Sequence, residues 1–349
     1  MVATPQPKHL SWMDFIVKAL VYTEPKTLVL QDVEVPELHD DEVVLDIEAV
    51  GICGSDMHAW HGHDPRRKPG LVLGHEFVGT IRESAVPGFE VGTRFTGNPL
   101  ITCGVCEYCV EGRNNLCSNR TMVGMTRPGA YAERMSIPVS SLIAIPQDMA
   151  AEVAALTEPA ATAWHAINLT IKALHRPIHE ARVLVIGGGA IGMLGALMLK
   201  HLGVKHLTVS ELNPGRREAI ANAVGCDVID PSQSPPPEST YDHVMDAVGA
   251  KITRHQAINS IKPGGVVMHV GLQDWASEID MRKLTLAEIT LLGTYTYTTA
   301  DLRATVDALD GGVFGDLAWV EQRALNEGQQ AFLDLDSGAS ASSKIILRP

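Results

Sequence analysis

Along the chain the spacing of apolar positions changes once, near residue 150. Before it, short stretches such as "EVVLDIEAVGIC" and "FVGTIRESAV" alternate apolar with polar residues and are broken by Gly, Pro and Asp, which predicts β-strands joined by turns. After it, "AAEVAALTEPAATAWHAI" has helical spacing, and "ARVLVIGGGAIGMLGALMLKHLG" reads as strand, glycine turn and helix. The strand "HLTVSE", the helix "RREAIANAVG" and the strands "YDHVMDAVG" and "GGVVMHVGL" follow. Strands alternating with helices predict a doubly wound parallel sheet, an α/β region after a β region. A helix, "ADLRATVDAL", and a strand, "SKIILRP", close the chain after about residue 297. The Pro/Ser stretch "DPSQSPPPESTY", residues 230–241, cannot be helix. It nevertheless stands where parallel strands need a crossover, so one face of the sheet is expected to be thinly covered there. Strand-like sequence begins only at Val17, so residues 1–16 read as a dispensable extension.

Composition narrows the class. A chain of 349 residues with 45% hydrophobic and 20% charged positions suits a soluble protein of two domains. A net charge of −13 argues against a nucleic-acid surface, which draws on clustered Lys and Arg. No apolar run approaches the roughly 18–20 residues that span a bilayer, so no membrane partner is expected. The opening residues lack the charged and apolar regions of a signal peptide, and a cytoplasmic location is the expectation.

Four of the six cysteines, Cys103, Cys106, Cys109 and Cys117, fall in C-x2-C-x2-C-x7-C. Three readings compete. Disulfides are rare in the cytoplasm. Bacterial iron–sulfur runs place the fourth cysteine after three residues and follow it with Pro, whereas here seven intervene and Ser follows. A four-thiolate zinc site needs short loops of this kind, and structural Zn2+ is the expectation. With no open coordination position it braces a loop and does no chemistry.

Gly187, Gly189 and Gly192 form G-x-G-x-x-G between the apolar run 183–186 and an apolar helix, and Glu211 ends the next strand nineteen positions beyond Gly192. That context reads as a dinucleotide site: the glycines let the backbone approach a pyrophosphate at a helix N-terminus, and the carboxylate meets ribose hydroxyls. Glu211 favours NAD, while Arg216 leaves NADP open. The expected cofactor surface comprises Gly187, Gly189, Ile191, Gly192, Glu211 and Arg216, with Val270 and Gly271 after the later strand. The alternative is an α/β domain whose glycines only permit close packing.

A second, open metal site is suggested by "GICGSDMH", "LGHEFVG" and "LTEPAATA", which supply Cys53, His75, Glu76 and Glu158. Each alone is unremarkable. Together with "EPAATAWHA", "VLVIGGGAIG", "GGVVMHVGL", "SKIILRP" and the four-cysteine lobe, they make the chain from about Val17 resemble the zinc-containing medium-chain alcohol and polyol dehydrogenases, the superfamily of sorbitol and threonine dehydrogenases. The resemblance implies a GroES-like β-barrel catalytic domain over residues 1–157, a Rossmann domain over 158–297 and a return to the first domain over 298–349. It implies a catalytic zinc on Cys53, His75 and a glutamate, either Glu76 or Glu158, and a proton relay through Ser55 and His58. His61 and His63 match no relay position and read as loop residues.

The implied activity is hydride transfer from a secondary alcohol, such as a polyol, to NAD, giving a ketone. The alternatives are an amino-alcohol or threonine-type dehydrogenase and a non-catalytic NAD-binding protein of the same fold. Relatives are commonly homo-oligomers, dimers or tetramers. Three departures stand out. Ala59 and Trp60 follow the relay histidine where sorbitol dehydrogenases begin with an aromatic, and Thr296 stands in "GTYTY" where they carry a substrate-holding Arg, which implies a more open pocket. The third is the Pro/Ser loop.

Overall fold

The computed structural model describes residues 16–349, so the expected extension, apart from Ile16, lies outside the described residues. The alternating stretches of the first half form antiparallel strands. Glu42–Gly51 pairs with Glu76–Ser84, with Arg134–Pro138 and with the C-terminal strand Lys344–Arg348 in a seven-stranded sheet. Glu42–Gly51 is buried along almost its whole length because it borders two cores. Val43, Leu45, Ile47 and Val50 face one, and Ala49 faces the other. A three-stranded sheet of Thr27–Glu34, Ile16–Glu24 and Leu71–Val72 covers the first core.

The alternating second half forms a six-stranded sheet in which every pairing is parallel. Its order is Asp227–Ile229, His206–Ser210, Arg182–Ile186, Tyr241–Asp246, Ile261–His269 and Thr290–Gly293. Arg182–Ile186 lies in the middle, and Val183, Leu184 and Val185 are wholly buried, as expected for a strand with helices on both faces. The chain then leaves through the helix Thr299–Asp310, and Lys344–Arg348 returns to the first sheet. The architecture is a GroES-like β domain joined to a Rossmann-like α/β domain.

The Pro/Ser segment crosses from the edge strand Asp227–Ile229 to the central strand Tyr241–Asp246 without a helix. Local bonds hold it. Asp230 Oδ1 accepts from the amide and hydroxyl of Ser232, and the amides of Ser239 and Thr240 donate to the carbonyls of Asn259 and Ser260. Elements beyond the sequence pattern include the helices Lys251–Ser260, Met281–Leu286 and Gly328–Ser337, and the strand Val320–Ala324. None of the helices among the described residues is long and apolar enough to cross a membrane.

Candidate metal centre and dinucleotide cleft

Two turns bring the open site together. Cys53 is the N-cap of the helix Gly54–Trp60, where its extended backbone (φ −94°, ψ 152°) lets its amide donate to Asp56 Oδ2 at 3.3 Å. Across the pocket, Gly74 at φ +92° turns the chain into the strand Glu76–Ser84 and sets His75 at its mouth; a side chain at Gly74 would also strike the Tyr131 ring. The ligand atoms of Cys53, His75 and Glu76 lie within 4.8 Å of one another. A thiol, an imidazole and a carboxylate at this separation fit a zinc ion that keeps one position open.

Buried charges surround the triad. The Tyr131 hydroxyl donates to Asp56 Oδ2 at 2.7 Å, and Asp56 Oδ1 lies 3.4 Å from His75 Nδ1. Burial alone would raise Asp56, but the His75 ring and the Arg67 guanidinium outweigh it and hold the carboxyl at about 2. Conversely, burial works against a charged His75, yet Asp56 and Cys53 keep the metal-free ring well above the ordinary imidazole range. A carboxylate on the far nitrogen of a ligand histidine fixes its tautomer and orientation.

Glu76 has a partner the sequence reading lacks. Lys344 Nζ reaches its two oxygens at 2.8 and 2.6 Å and donates to the Ile52 carbonyl at 2.8 Å. Glu158 lies outside the triad and accepts from the Tyr297 hydroxyl at 2.9 Å. Burial, with Glu76 nearby, raises its carboxyl to about 7 despite the opposing pull of His75 and Lys344. Ser55 Oγ accepts from Arg67 Nη2 at 3.2 Å, and Arg67 is itself held by the carbonyls of Ser55 and Gly124 and by Asp64. His58 is half-buried, and burial with His63, His61 and Arg67 around it lowers its pKa. His61, read as a loop residue, caps the helix and pairs with Asp336 at 2.7 Å, while its ring stacks on His63. Trp60 is wholly buried against Phe332.

The other four cysteines also converge, their sulfurs all within 4.8 Å, and all six cysteines are unbridged thiols. Cys106 and Cys109 lie 3.6 Å apart, Cys103 and Cys117 3.5 Å. The amides of Val105 and Cys106 lower Cys103 to about 6, which readies it as a thiolate ligand.

In the dinucleotide turn Gly187 adopts φ +95° and Gly189 is the N-cap of the helix Ala190–His201. A Cβ at Gly192 would strike the Gly187 carbonyl, which is the close helix–strand approach the third glycine serves. Ile191 is half-buried in the first helical turn. Glu211 Oε2 accepts from the Gly188 amide at 2.6 Å and Oε1 from Asn213 at 2.7 Å, so the carboxylate is locked beside the turn. Arg217, rather than Arg216, braces this corner by donating to the Glu211 carbonyl and pairing with Asp230; the Arg216 Nε is buried without a partner. The amides of Val270 and Gly271 both donate to the Asp246 carbonyl, across the strand ends from the glycine turn. Ser343 Oγ donates to the Gly188 carbonyl at 2.6 Å, which ties the C-terminal segment to this cleft.

Asp56, Arg67, Tyr131, Tyr297 and Lys344 are the functional neighbours the sequence did not reveal. Lys344 left one trace, a cation immediately before the apolar run of "SKIILRP".

The fold and the two sites define a zinc-binding oxidoreductase. Residues 39–147 match the alcohol dehydrogenase GroES-like domain, and residues 190–311 match the zinc-binding dehydrogenase family. An L-threonine 3-dehydrogenase of Rhizobium johnstonii is 34% identical over 298 residues, covering 81% of this chain and 84% of the relative. Among solved structures, acetophenone reductase from Geotrichum candidum in complex with NAD superposes with a TM-score of 0.86 at 28% identity, covering 96% of this chain and 98% of that one. A Sinorhizobium meliloti protein solved with NADP superposes at 0.84 and 29% identity, covering 96% and 99%. The chain belongs to the zinc-containing medium-chain dehydrogenase superfamily.

Proposed function

We propose that the protein oxidises a secondary alcohol to a ketone and passes the hydride to NAD. The observation that carries the reading is the convergence of Cys53, His75 and Glu76 on one point, with Glu158 beside them. Cys53, His75 and Glu76 would hold the catalytic zinc, and Glu158 is the carboxylate that exchanges with Glu76. When bound, zinc supplies a Lewis acid to the alcohol oxygen. Ser55, whose oxygen also accepts from the Arg67 guanidinium, receives the alcohol proton as its own hydroxyl proton passes to His58, which releases it towards solvent. Gly187, Gly189 and Gly192 admit the pyrophosphate, and the Glu211 carboxylate accepts from ribose hydroxyls and repels a 2′-phosphate. The four-cysteine lobe takes a structural zinc.

Among secondary alcohols, the relatives named L-threonine 3-dehydrogenase favour a threonine-like amino alcohol over the polyol of the first expectation. The division at residues 157 and 297 into catalytic, nucleotide and returning segments, a cytoplasmic location and a homo-oligomeric state complete the proposal. A panel of L-threonine, other 3-hydroxy amino acids, polyols and simple secondary alcohols, with NAD and with NADP, tests it by absorbance of the reduced cofactor. Turnover with NAD is expected to be highest on the amino-alcohol group. Cys53→Ser should abolish turnover while NADH binding stays nearly intact; turnover surviving that change would remove the metal from the mechanism.

A further inference from the structure

The four-cysteine lobe reaches beyond its own sulfurs. Its short helical turn Asn114–Leu116 carries two asparagines that are 9% and 3% exposed, and their side chains point out of the lobe. Asn115 Nδ2 donates to the carbonyl of Tyr295 at 2.8 Å, and Asn114 Oδ1 accepts from the amide of Thr299 at 3.0 Å. Arg120, which donates to the Cys117 carbonyl, lays its guanidinium 4.8 Å from the centre of the Tyr295 ring. These contacts grip both ends of residues 295–299, the segment by which the chain leaves the parallel sheet.

Between the two grips the backbone is forced. Thr296 sits at φ +45°, a left-handed conformation that a β-branched residue adopts only when its surroundings impose it. Its hydroxyl is buried without a partner. The next residue, Tyr297, is wholly buried and donates to Glu158 Oε1. Were the grips loosened, Thr296 would relax toward ordinary φ values and swing the Tyr297 hydroxyl away from that oxygen.

We propose that Asn114 and Asn115 are positioning residues for the catalytic pocket: the lobe clasps residues 295–299, and Tyr297 thereby fixes one oxygen of Glu158 and leaves the other free for the pocket. A metal held by the four cysteines would brace this clasp, whose two asparagine hydrogen bonds to residues 295 and 299 act on the reacting centre through a third, from Tyr297 to Glu158. The inference rests on the reading of the pocket as an alcohol-oxidising site, and its test is built so that the two fail separately.

The experiment compares full-length, zinc-loaded wild type with Asn115→Leu, Tyr297→Phe and the double variant. Asn115→Ser serves as a second variant should the leucine disturb folding. For Asn115→Leu, kcat/KM for the alcohol is expected to fall roughly tenfold, with NADH affinity within about twofold of wild type, because a small displacement at a reacting centre is costly. Tyr297→Phe should lose a similar amount, and the double variant should lie within about twofold of Tyr297→Phe, since both changes break one path. Losses that multiply, or an Asn115 variant as active as wild type, overturn the proposal. A second readout uses Co2+ in place of zinc at Cys53, His75 and Glu76: its absorption spectrum should change in the same way in both single variants. A spectrum altered by Tyr297→Phe but untouched by the Asn115 change also overturns it. If wild type oxidises no alcohol on the panel, the reading of the pocket fails, while the Co2+ comparison still decides the clasp.

Discussion

Lys344 holds the charge balance of the metal pocket. Its ammonium is buried, and so is Glu76; each depends on the other because neither reaches water. Removing one member of such a pair leaves an uncompensated buried charge, a loss of about 3–5 kcal/mol. Lys344→Met is therefore expected to destabilise the metal-free protein by about that amount in urea titrations, and by less when zinc is present, because the ion then offsets Glu76. Gly51 guards the same carboxylate from the other side, since a methyl there would collide with Glu76 Oε2. Gly51→Ala should weaken zinc at the open site by roughly tenfold or more while the cysteine lobe stays loaded, which metal content after graded chelation would show. The two residues mark what was legible. Cys53, His75 and Glu76 lie in short motifs that the family resemblance picked out, although it left Glu76 and Glu158 as alternatives. Lys344 comes to Glu76 from 268 positions away and Tyr297 to Glu158 from 139, and no local pattern encodes contacts of that range.

At the scale of single elements, the strand Tyr241–Asp246 carries a buried titratable group. His243 is fully enclosed; its Nδ1–H donates to the Val266 carbonyl at 3.1 Å, and Nε2 has no partner. Burial lowers its pKa from 6.5 to about 4. The unfolded chain then binds more protons than the folded one between those values, so stability falls as pH drops from 6.5 towards 4 and is fully present above 6.5. The loss amounts to about 3 kcal/mol over that window. His243→Asn should flatten this part of the stability–pH curve, whatever it does to stability at pH 8; an unchanged slope would show that His243 is not its source. Elements with strong periodicity, such as Arg182–Ile186 and the helix after it, were readable directly. Val320–Ala324 was not, because "VEQRA" offers little apolar alternation and owes its strand form to parallel pairing with Lys344–Arg348. The helix Gly328–Ser337 buries only Gly328, Ala331 and Phe332, too short an apolar stripe to stand out in the sequence.

Across the whole molecule, the larger core does not respect the division between the two sheets. Ala49, Val78, Ile143 and, from the returning C-terminal strand, Ile346 pack in one cluster with Val183, Val185 and Leu194 of the parallel-sheet region. Shared burial of this kind couples the units, so thermal unfolding of the zinc- and NADH-bound protein is expected as a single calorimetric transition. Two resolved peaks would show that the parts melt independently. The end of the chain adds a second link. Ser343 touches the glycine turn of the nucleotide cleft and Lys344, its immediate neighbour, touches the carboxylate of the metal triad. Two consecutive peptide units thus serve as a yoke between cofactor and ion. An engineer who trims this tail, or redesigns the ribose corner around Gly188 to accept a different nucleotide, will disturb the other harness as well, and compensating changes will have to be sought on both sides at once.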